Sequence, residues 1–116
     1  VDALPLGAGG SGTPTAGRTG SSGNAAGIRS VGVAGCGLMG SGIAELCARS
    51  GLDTLVYDVN LSAVEAGRRR IETSLVRAVT RGKLTDTEQD TALAALTYTT
   101  DLADFADRDL AVEAVP

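Results

Sequence analysis

From residue 28 onwards, the apolar positions of the chain fall first into a short continuous run and then into helical spacing. The run Ile28–Ala34 is rich in β-branched residues and is closed by a glycine, which is typical of a buried parallel strand. The next segment ends at Gly51, a residue type that commonly follows the last turn of a helix. Its apolar residues, three or four positions apart, are Met39, Ile43, Leu46 and Cys47. The pattern predicts a strand, a tight turn and a helix.

A second strand and a long helix come next. Residues Thr54–Asp58 are predicted to form the strand, and the apolar residues that follow share one face of a helix. They are Leu61, Val64, Ile71, Leu75 and Val79. The triplet Arg68–Arg70 lies largely off that face. We interpret the triplet as a solvated surface, with contact to a phosphate as the less favoured alternative.

The long helix is predicted to stop at Arg81–Lys83, where a glycine interrupts the pattern. The stretch Thr85–Glu88 has the Ser/Thr-x-x-Glu form of a capping box, which would open another short helix running through Leu96. The spacing therefore predicts two helices in succession between the second and third strands.

Two more strands are predicted at Thr97–Thr100 and at Asp109–Ala114, with a helical turn around Leu102–Asp107 between them. Strands alternating with helices favour a parallel sheet over an antiparallel one. The fold class predicted for the chain is therefore α/β, with a doubly wound parallel sheet.

Residues 1–27 differ from the rest in composition. Eight of the 16 glycines lie here, among serine, threonine, alanine and proline, without an apolar period. Such a segment cannot bury enough surface to offset its ordering entropy. We predict a disordered Gly/Ser/Ala-rich tail over 1–27 and a single globular unit over 28–116.

The charge of the chain limits its partners. Ten basic and fourteen acidic residues give a net charge of −4, which argues against binding nucleic acid or anionic lipid. The chain has no apolar run of membrane-spanning length and no secretory signal pattern. We therefore expect no nucleic acid partner, no membrane association and a cytoplasmic location.

The two cysteines, Cys36 and Cys47, lack the spacing of a disulfide scaffold or a zinc site, and the chain has no histidine to complete a metal shell. We interpret both as small packing residues and predict no metal site. The less favoured alternative is a reactive thiol at Cys36, close to the start of a helix.

Three glycines form a GxGxxG sequence directly after the first predicted strand and at the start of the first predicted helix. Gly35 would allow the tight turn, Gly37 would let the backbone approach a pyrophosphate, and Gly40 would let the helix pack closely on the strands. The helix start offers free N–H groups and the positive end of a dipole to the phosphates. The alternative is that these glycines serve packing alone.

An acidic residue ends the second predicted strand. Asp58 lies 18 residues after Gly40, where a carboxylate accepts hydrogen bonds from an adenine ribose. The same carboxylate would repel a 2′-phosphate, and no arginine follows it at once, so NAD is predicted in preference to NADP. The alternative role for Asp58 is to cap the next helix.

One known family is similar to this chain in four features, which are GCGLMGSGIA, the pair Tyr57-Asp58, the arginine-rich helix with its Gly82–Thr85 break, and DLAVEAVP. Through them residues 28–116 resemble the N-terminal domain of 3-hydroxyacyl-CoA dehydrogenases, including the bacterial 3-hydroxybutyryl-CoA enzymes. The resemblance implies a Rossmann-type sheet, incomplete at its C-terminal end, with NAD as cofactor and an acyl-CoA as substrate.

The resemblance also implies roles for particular residues. Those along the pyrophosphate would be Gly35, Cys36, Gly37, Leu38, Met39 and Gly40. Asp58 would hold the adenine ribose, and Ala114 with Val115 would run beside the cofactor. Ser74 and Arg81 match a serine and a basic residue that approach the CoA moiety in this family. Arginine stands where the family has lysine, and both side chains bind phosphate.

The reaction implied by the resemblance is hydride transfer between C3 of a 3-hydroxyacyl-CoA and the nicotinamide, while a histidine paired with a glutamate removes the hydroxyl proton. The chain contains no histidine, so we interpret it as a truncated N-terminal part without the catalytic residues. The family dimerises through a C-terminal helical domain, which implies a homodimer for the full-length protein.

Two alternatives stay open from the residues alone. A β-hydroxyacid dehydrogenase of the 6-phosphogluconate type shares the glycine turn, although the long helix after Asp58 and the insertion Thr85–Leu96 count against it. A non-catalytic NAD-sensing module would carry the same fingerprint, because the glycine turn defines the binding fold and not the reaction.

Overall fold

The computed structural model describes the backbone of Asp2–Pro5 and all of residues 27–115. The strands are β1 (Asp2–Pro5), β2 (Ser30–Ala34), β3 (Asp53–Tyr57), β4 (Leu96–Thr99) and β5 (Leu110–Glu113). The helices are α1 (Leu38–Arg49), α2 (Leu61–Thr80), α3 (Asp86–Ala95) and a 3₁₀ helix (Leu102–Asp107). Within this part of the chain, no helix is long and apolar enough to cross a membrane.

The strands form one sheet in the order β1-β5-β2-β3-β4. The four strands β5, β2, β3 and β4 run parallel, whereas β1 is antiparallel to β5. Ala34, the last residue of β2, pairs with Tyr57 of β3 and Glu113 of β5. The predicted α/β class with a parallel sheet is confirmed, and the carboxyl ends of three strands meet beside the turn after β2.

The main core lies between the sheet and the three α-helices. It contains Val31, Val33, Cys36, Ala44, Ala48, Val56, Ile71, Leu75, Leu84, Ala92 and Leu96. Ala44 and Ala48 are fully buried, so α1 meets the sheet through small side chains. Ile71 and Leu75 fix α2 in the same layer, and full burial of each contributes about 1.5–3 kcal/mol.

The opposite face of the sheet carries the 3₁₀ helix. Its Phe105 packs with Leu55 and Ala111, and its ring meets Tyr57 edge-on with centroids 6.2 Å apart. A Cβ at Gly32 would lie 2.8 Å from the Phe105 ring. Gly32 therefore gives Phe105 room to lie on β2.

The predicted element boundaries agree with the structure to within about two residues. Gly51 and Gly82 follow α1 and α2 with φ angles of +88° and +72°. At the start of α3, Thr85 and Glu88 form the predicted capping box, with each side chain accepting from the other's backbone N–H. Local sequence signals therefore set the ends of these helices.

Strand β1 was not predicted. Asp2–Pro5 pairs antiparallel with β5, from Asp2 opposite Glu113 to Pro5 opposite Leu110. For these four residues the predicted disordered tail is wrong, because the edge of β5 supplies backbone hydrogen-bonding partners that no local pattern reveals. Residues 6–26 of the predicted tail lie outside the described residues.

Candidate functional site

The turn after β2 is held at the carboxyl edge of the sheet. Gly35 has a φ of +105°, a conformation that favours glycine, and its N–H donates to the carbonyl of Tyr57 at 2.8 Å. On its other side, the N–H of Ala114 donates to the carbonyl of Ala34 at 2.8 Å. The turn is therefore fixed between β3 and the residues that follow β5.

The three glycines of the turn face different surroundings. A Cβ at Gly40 would overlap the carbonyl oxygen of Gly35, so that α1 starts in direct contact with the turn. A Cβ at Gly37 would meet nothing within 4 Å, and this residue is exposed. Gly40 is thus required for packing, whereas Gly37 leaves open space in front of the backbone.

The start of α1 has no side-chain cap. Gly37 is the N-cap, and the first helical residues Leu38 and Met39 are 82% and 58% exposed. The N–H groups of a first helical turn have no partners within the helix, and the helix dipole places partial positive charge there. This end of α1 can therefore accept an anion such as a phosphate group.

The carboxylate of Asp58 lies beside this turn and accepts three hydrogen bonds. Its Oδ2 accepts from the backbone N–H of Cys36 at 3.0 Å and from the Cys36 thiol at 3.4 Å, and its Oδ1 accepts from the N–H of Val59 at 2.7 Å. Partial burial opposes the charge of Asp58, but the three donors together outweigh it and lower the pKa of the carboxyl group. The side chain is therefore charged and oriented at neutral pH.

Asp58 does not cap the next helix. The N-cap of α2 is Asn60, whose side chain accepts from the N–H of Ala63 at 2.9 Å. The structural alternative considered for Asp58 is therefore wrong, because the neighbouring asparagine performs that role.

Both cysteines are free. Cys36 is 1% exposed, and burial together with the nearby Asp58 carboxylate raises the pKa of its thiol to about 11. Burial also raises the pKa of Cys47, which packs against the main core. Cys36 belongs to the main core and Cys47 packs against it, which agrees with the interpretation of both as packing residues, and a raised pKa disfavours the reactive thiolate. Within residues 27–115, no group of three histidine, cysteine or acidic side chains could hold a metal ion.

Helix α2 crosses directly over the glycine turn. A Cβ at Gly67 would lie 2.5 Å from the sulfur of Cys36, so the crossing depends on glycine. One turn further on, Arg70 donates from its guanidinium to the carbonyl of Cys36 at 3.1 Å, and Ser41 donates to the same carbonyl at 2.8 Å. These contacts fix the Cys36 peptide from both α1 and α2.

Two side chains of the exposed arginine triplet also make contacts within the protein. Arg70 supports the turn, while Arg68 pairs with Glu72 at 3.1 Å and lies over the Tyr98 ring, 5.5 Å from its centroid. All three arginines are exposed, which agrees with the interpretation of a solvated surface. In the sequence, Arg70 stands three residues after Gly67, about one helical turn further along α2. This spacing indicates a contact with Cys36 only when α2 is known to cross the glycine turn at Gly67.

The two residues matched to the CoA moiety lie further along α2. Ser74 is half-buried within the helix, and Arg81 is the exposed C-cap residue. Seven residues separate them, so both lie on nearly the same side of α2. A shallow groove of about 330 Å³ lies along an adjacent stretch of α2, lined by Ala66, Arg69, Arg70, Thr73 and Arg77.

The residues that follow β5 complete the edge of the site. Ala114 is buried against Gly35, where a Cβ would lie 3.2 Å from the Ala114 backbone, whereas Val115 is 52% exposed. The structure thus brings the glycine turn, Asp58, Ala114 and Val115 together at one edge of the sheet. Ser74 and Arg81 belong to a separate part of the surface, along α2.

Residues 30–116 match the family model described as "3-hydroxyacyl-CoA dehydrogenase, NAD binding domain". A 3-hydroxybutyryl-CoA dehydrogenase of Mycobacterium tuberculosis is 53% identical over 88 residues, which are 76% of this chain and 31% of that protein. The chain thus spans about a third of the length of this relative.

Solved structures give the same result. An (S)-3-hydroxybutyryl-CoA dehydrogenase from Ralstonia eutropha matches with a TM-score of 0.74 and 37% identity, over 77% of this chain and 31% of that one. A 3-hydroxybutyryl-CoA dehydrogenase from Escherichia coli matches with a TM-score of 0.74 and 38% identity, over 77% of this chain and 19% of that one. The predicted Rossmann-type architecture is confirmed by these matches.

Proposed function

Because the chain belongs to the family of NAD-binding domains of 3-hydroxyacyl-CoA dehydrogenases, we propose that it holds NAD for an enzyme that interconverts 3-hydroxyacyl-CoA and 3-oxoacyl-CoA. The observation that carries the proposal is the open backbone at Gly37, next to an uncapped helix start and a fixed carboxylate. The family membership counts against a β-hydroxyacid dehydrogenase of the 6-phosphogluconate type.

The glycine turn is proposed to hold the pyrophosphate of the dinucleotide. Gly37 has no side chain to keep a phosphate away, and no atom lies within 4 Å of where its Cβ would be. The first N–H groups of α1, at Leu38, Met39 and Gly40, would donate to phosphate oxygens. Gly35 and Cys36 would line the same ligand through the backbone of the turn.

Asp58 is proposed to select NAD over NADP. Its carboxylate is charged at neutral pH and fixed by hydrogen bonds from Cys36 and Val59. A charged carboxylate accepts hydrogen bonds from the 2′- and 3′-hydroxyls of the adenine ribose and repels a 2′-phosphate. Ala114 and Val115 would run beside the bound cofactor, since both lie next to Gly35.

The acyl-CoA substrate is proposed to approach along α2. Ser74 and Arg81 lie about two turns apart on the same side of this helix, and Arg81 is exposed. The guanidinium of Arg81 would donate to a phosphate of the CoA moiety, and the hydroxyl of Ser74 would supply a neutral donor.

The glycine turn and Asp58 would hold NAD, whose nicotinamide would supply the hydride acceptor for oxidation of the hydroxyacyl group at C3 to a 3-oxoacyl-CoA. The hydroxyl proton must leave to a base at the same time. The chain has no histidine, so an imidazole base for this step must come from outside residues 1–116. The chain itself contributes binding and orientation of the cofactor. Homodimerisation of the complete protein and its cytoplasmic location stay predictions.

The experiment is to measure oxidation of NADH by the complete gene product in the presence of acetoacetyl-CoA, with NADPH as the comparison. We expect turnover with NADH and little with NADPH, and loss of that preference in Asp58→Ala. If NADH binds but is not oxidised, the dehydrogenase proposal is wrong and the NAD-sensing alternative takes its place. If neither dinucleotide binds, the site itself is wrong.

A further inference from the structure

We propose that the Cys36 thiol competes with the adenine ribose for the Asp58 carboxylate, and that its hydrogen moves from that carboxylate to the Ala63 carbonyl when the ribose hydroxyls bind. This inference rests on the proposed NAD site. In the proposed function, Cys36 contacts the cofactor only through its backbone. The present inference gives its side chain a role as well.

The thiol of Cys36 has two acceptors within reach. Its sulfur lies 3.4 Å from Oδ2 of Asp58 and 3.2 Å from the carbonyl oxygen of Ala63. A thiol carries one hydrogen, so it serves one of these acceptors at a time. The side chain is 1% exposed, and solvent does not compete for the hydrogen.

Which acceptor the thiol uses determines how many hydrogen bonds Asp58 can accept from a ligand. An ionised carboxylate offers about four lone-pair positions, two on each oxygen. With the thiol directed at Asp58, donors from Cys36 take both positions on Oδ2, and the N–H of Val59 takes one on Oδ1. One position is then left, whereas two adjacent ribose hydroxyls require two. Turning the thiol towards Ala63 leaves one position on each oxygen, which suits a pair of neighbouring hydroxyls.

Only the thiol hydrogen has to move. The carbonyl of Cys36 is held by Arg70 at 3.1 Å and by Ser41 at 2.8 Å, and its N–H stays on Asp58. The pKa of the thiol is raised to about 11 by burial and by Asp58, so the hydrogen is present at neutral pH. The exchange therefore replaces a bond to a charged acceptor by a weaker one to a neutral acceptor, and the ribose hydroxyls offset this loss by donating to the same carboxylate.

The proposal predicts an order of NAD affinities for the chain, measured by titration calorimetry. Cys36→Ala removes the exchange and should bind NAD about threefold more tightly than the wild type, a change in the range of one weak hydrogen bond. Cys36→Ser carries a stronger donor that leaves Asp58 less readily, and should bind about threefold more weakly. Cys47→Ala, which alters a cysteine packed against the core away from Asp58, should match the wild type.

A purely structural role for Cys36 predicts a different order, because loss of the side chain would then weaken binding and Cys36→Ala would be the poorest binder. That order would overturn the proposal. So would equal affinities of the wild type, Cys36→Ala and Cys36→Ser.

The hydrogen itself can be followed by infrared spectroscopy of the S–H stretching band. The chain contains two cysteines, so the Cys47→Ala background leaves Cys36 as its one thiol. Adding NAD should shift the band to higher frequency, since the thiol then donates to a weaker acceptor. Asp58→Asn should shift the band in the same direction without NAD. A band that does not move while calorimetry shows NAD binding would overturn this inference alone, whereas a chain that binds no NAD would overturn the proposed function and this inference with it.

Discussion

Two aspartates at opposite ends of the sheet accept similar hydrogen bonds, and only one of them lies at the proposed binding site. At the amino end, Asp109 accepts from the backbone N–H groups of Arg29 at 2.7 Å and Ser30 at 3.0 Å. At the carboxyl end, Asp58 accepts from those of Cys36 at 3.0 Å and Val59 at 2.7 Å. The pKa is lowered in both, for Asp109 mainly by the Arg29 bond and for Asp58 by its combined donors against partial burial.

The difference lies in what surrounds each carboxylate. Asp109 is tied into strand ends, where its own N–H donates to the Ser30 hydroxyl at 3.0 Å and Arg108 lies nearby. Asp58 accepts from the N–H of Cys36, the residue before Gly37, where a Cβ would meet open space and α1 starts without a side-chain cap. A lowered pKa thus indicates that backbone N–H groups donate to the carboxylate. Such a shift occurs at structural sites as well as at functional ones. Open space at Gly37 and a helix start without a side-chain cap distinguish the proposed binding site.

The largest loss of stability is expected for a substitution within the glycine turn, at the end of the sheet that carries Asp58. Gly40→Ala would place a Cβ on the Gly35 carbonyl, and we expect the free energy of unfolding to fall by about 3 kcal/mol or more. Urea unfolding followed by circular dichroism measures this change. A variant as stable as the wild type would show that the close approach of α1 to the turn is wrong.

Gly37→Ala is the matched control for that variant. Its Cβ would enter open space, so the free energy of unfolding should fall by no more than about 1 kcal/mol, the usual cost of alanine at an N-cap. NAD affinity should nevertheless fall about tenfold or more, because the same space is proposed for the pyrophosphate. Unchanged NAD affinity in this variant would remove Gly37 from the site.

The two aspartates themselves are expected to separate binding from stability. Asp58→Ala should weaken NAD binding about a hundredfold, since two hydrogen bonds to a charged acceptor are lost. Asp109→Ala should leave NAD affinity within about twofold and lower the free energy of unfolding by about 1–2 kcal/mol. Calorimetric titration and urea unfolding of both variants check this, and equal losses of NAD affinity would contradict the comparison.

Acid should protonate both aspartates, but only protonation of Asp58 should weaken NAD binding. The folded pKa of each lies below its ordinary value of 3.8, so the stability that each contributes is complete above 3.8 and is lost as the pH falls through the folded pKa. We expect NAD affinity to fall over the same acidic range as Asp58 becomes protonated. That fall should persist in Asp109→Ala, and its absence from a still-folded wild type would contradict the role of the Asp58 charge.

The smallest effect is expected far from both aspartates. Thr85→Ala removes one half of the capping box at α3 and should lower the free energy of unfolding by about 1 kcal/mol. NAD affinity should not change, because α3 contributes no residue to the proposed site. A larger effect on NAD binding than on stability would show that α3 is coupled to the glycine turn.

Much of the fold could be predicted because its signals are local. The apolar run before Gly35, the glycines that follow α1 and α2, and the capping box at Thr85 each act within a few residues. The glycine turn and Asp58 could be predicted as well, since a parallel strand pair places the two strand ends side by side. The structure brings them together through the Cys36 N–H.

Other features depend on contacts between distant parts of the chain. Strand β1 forms on an edge that β5 provides, and its four residues carry no strand pattern of their own. Arg70 reaches Cys36 only because Gly67 lets α2 cross the turn closely. Asn60, rather than Asp58, caps α2, although both residue types are good caps and the sequence does not choose between them.

The most direct test of the NAD site compares NAD with NADP in calorimetric titrations of the wild-type chain and of Asp58→Ala. The charged carboxylate beside the glycine turn predicts that the wild type binds NAD at least about tenfold more tightly than NADP, and that the difference shrinks in the variant. Equal affinity of the wild type for the two dinucleotides, or no binding of either, would contradict the account.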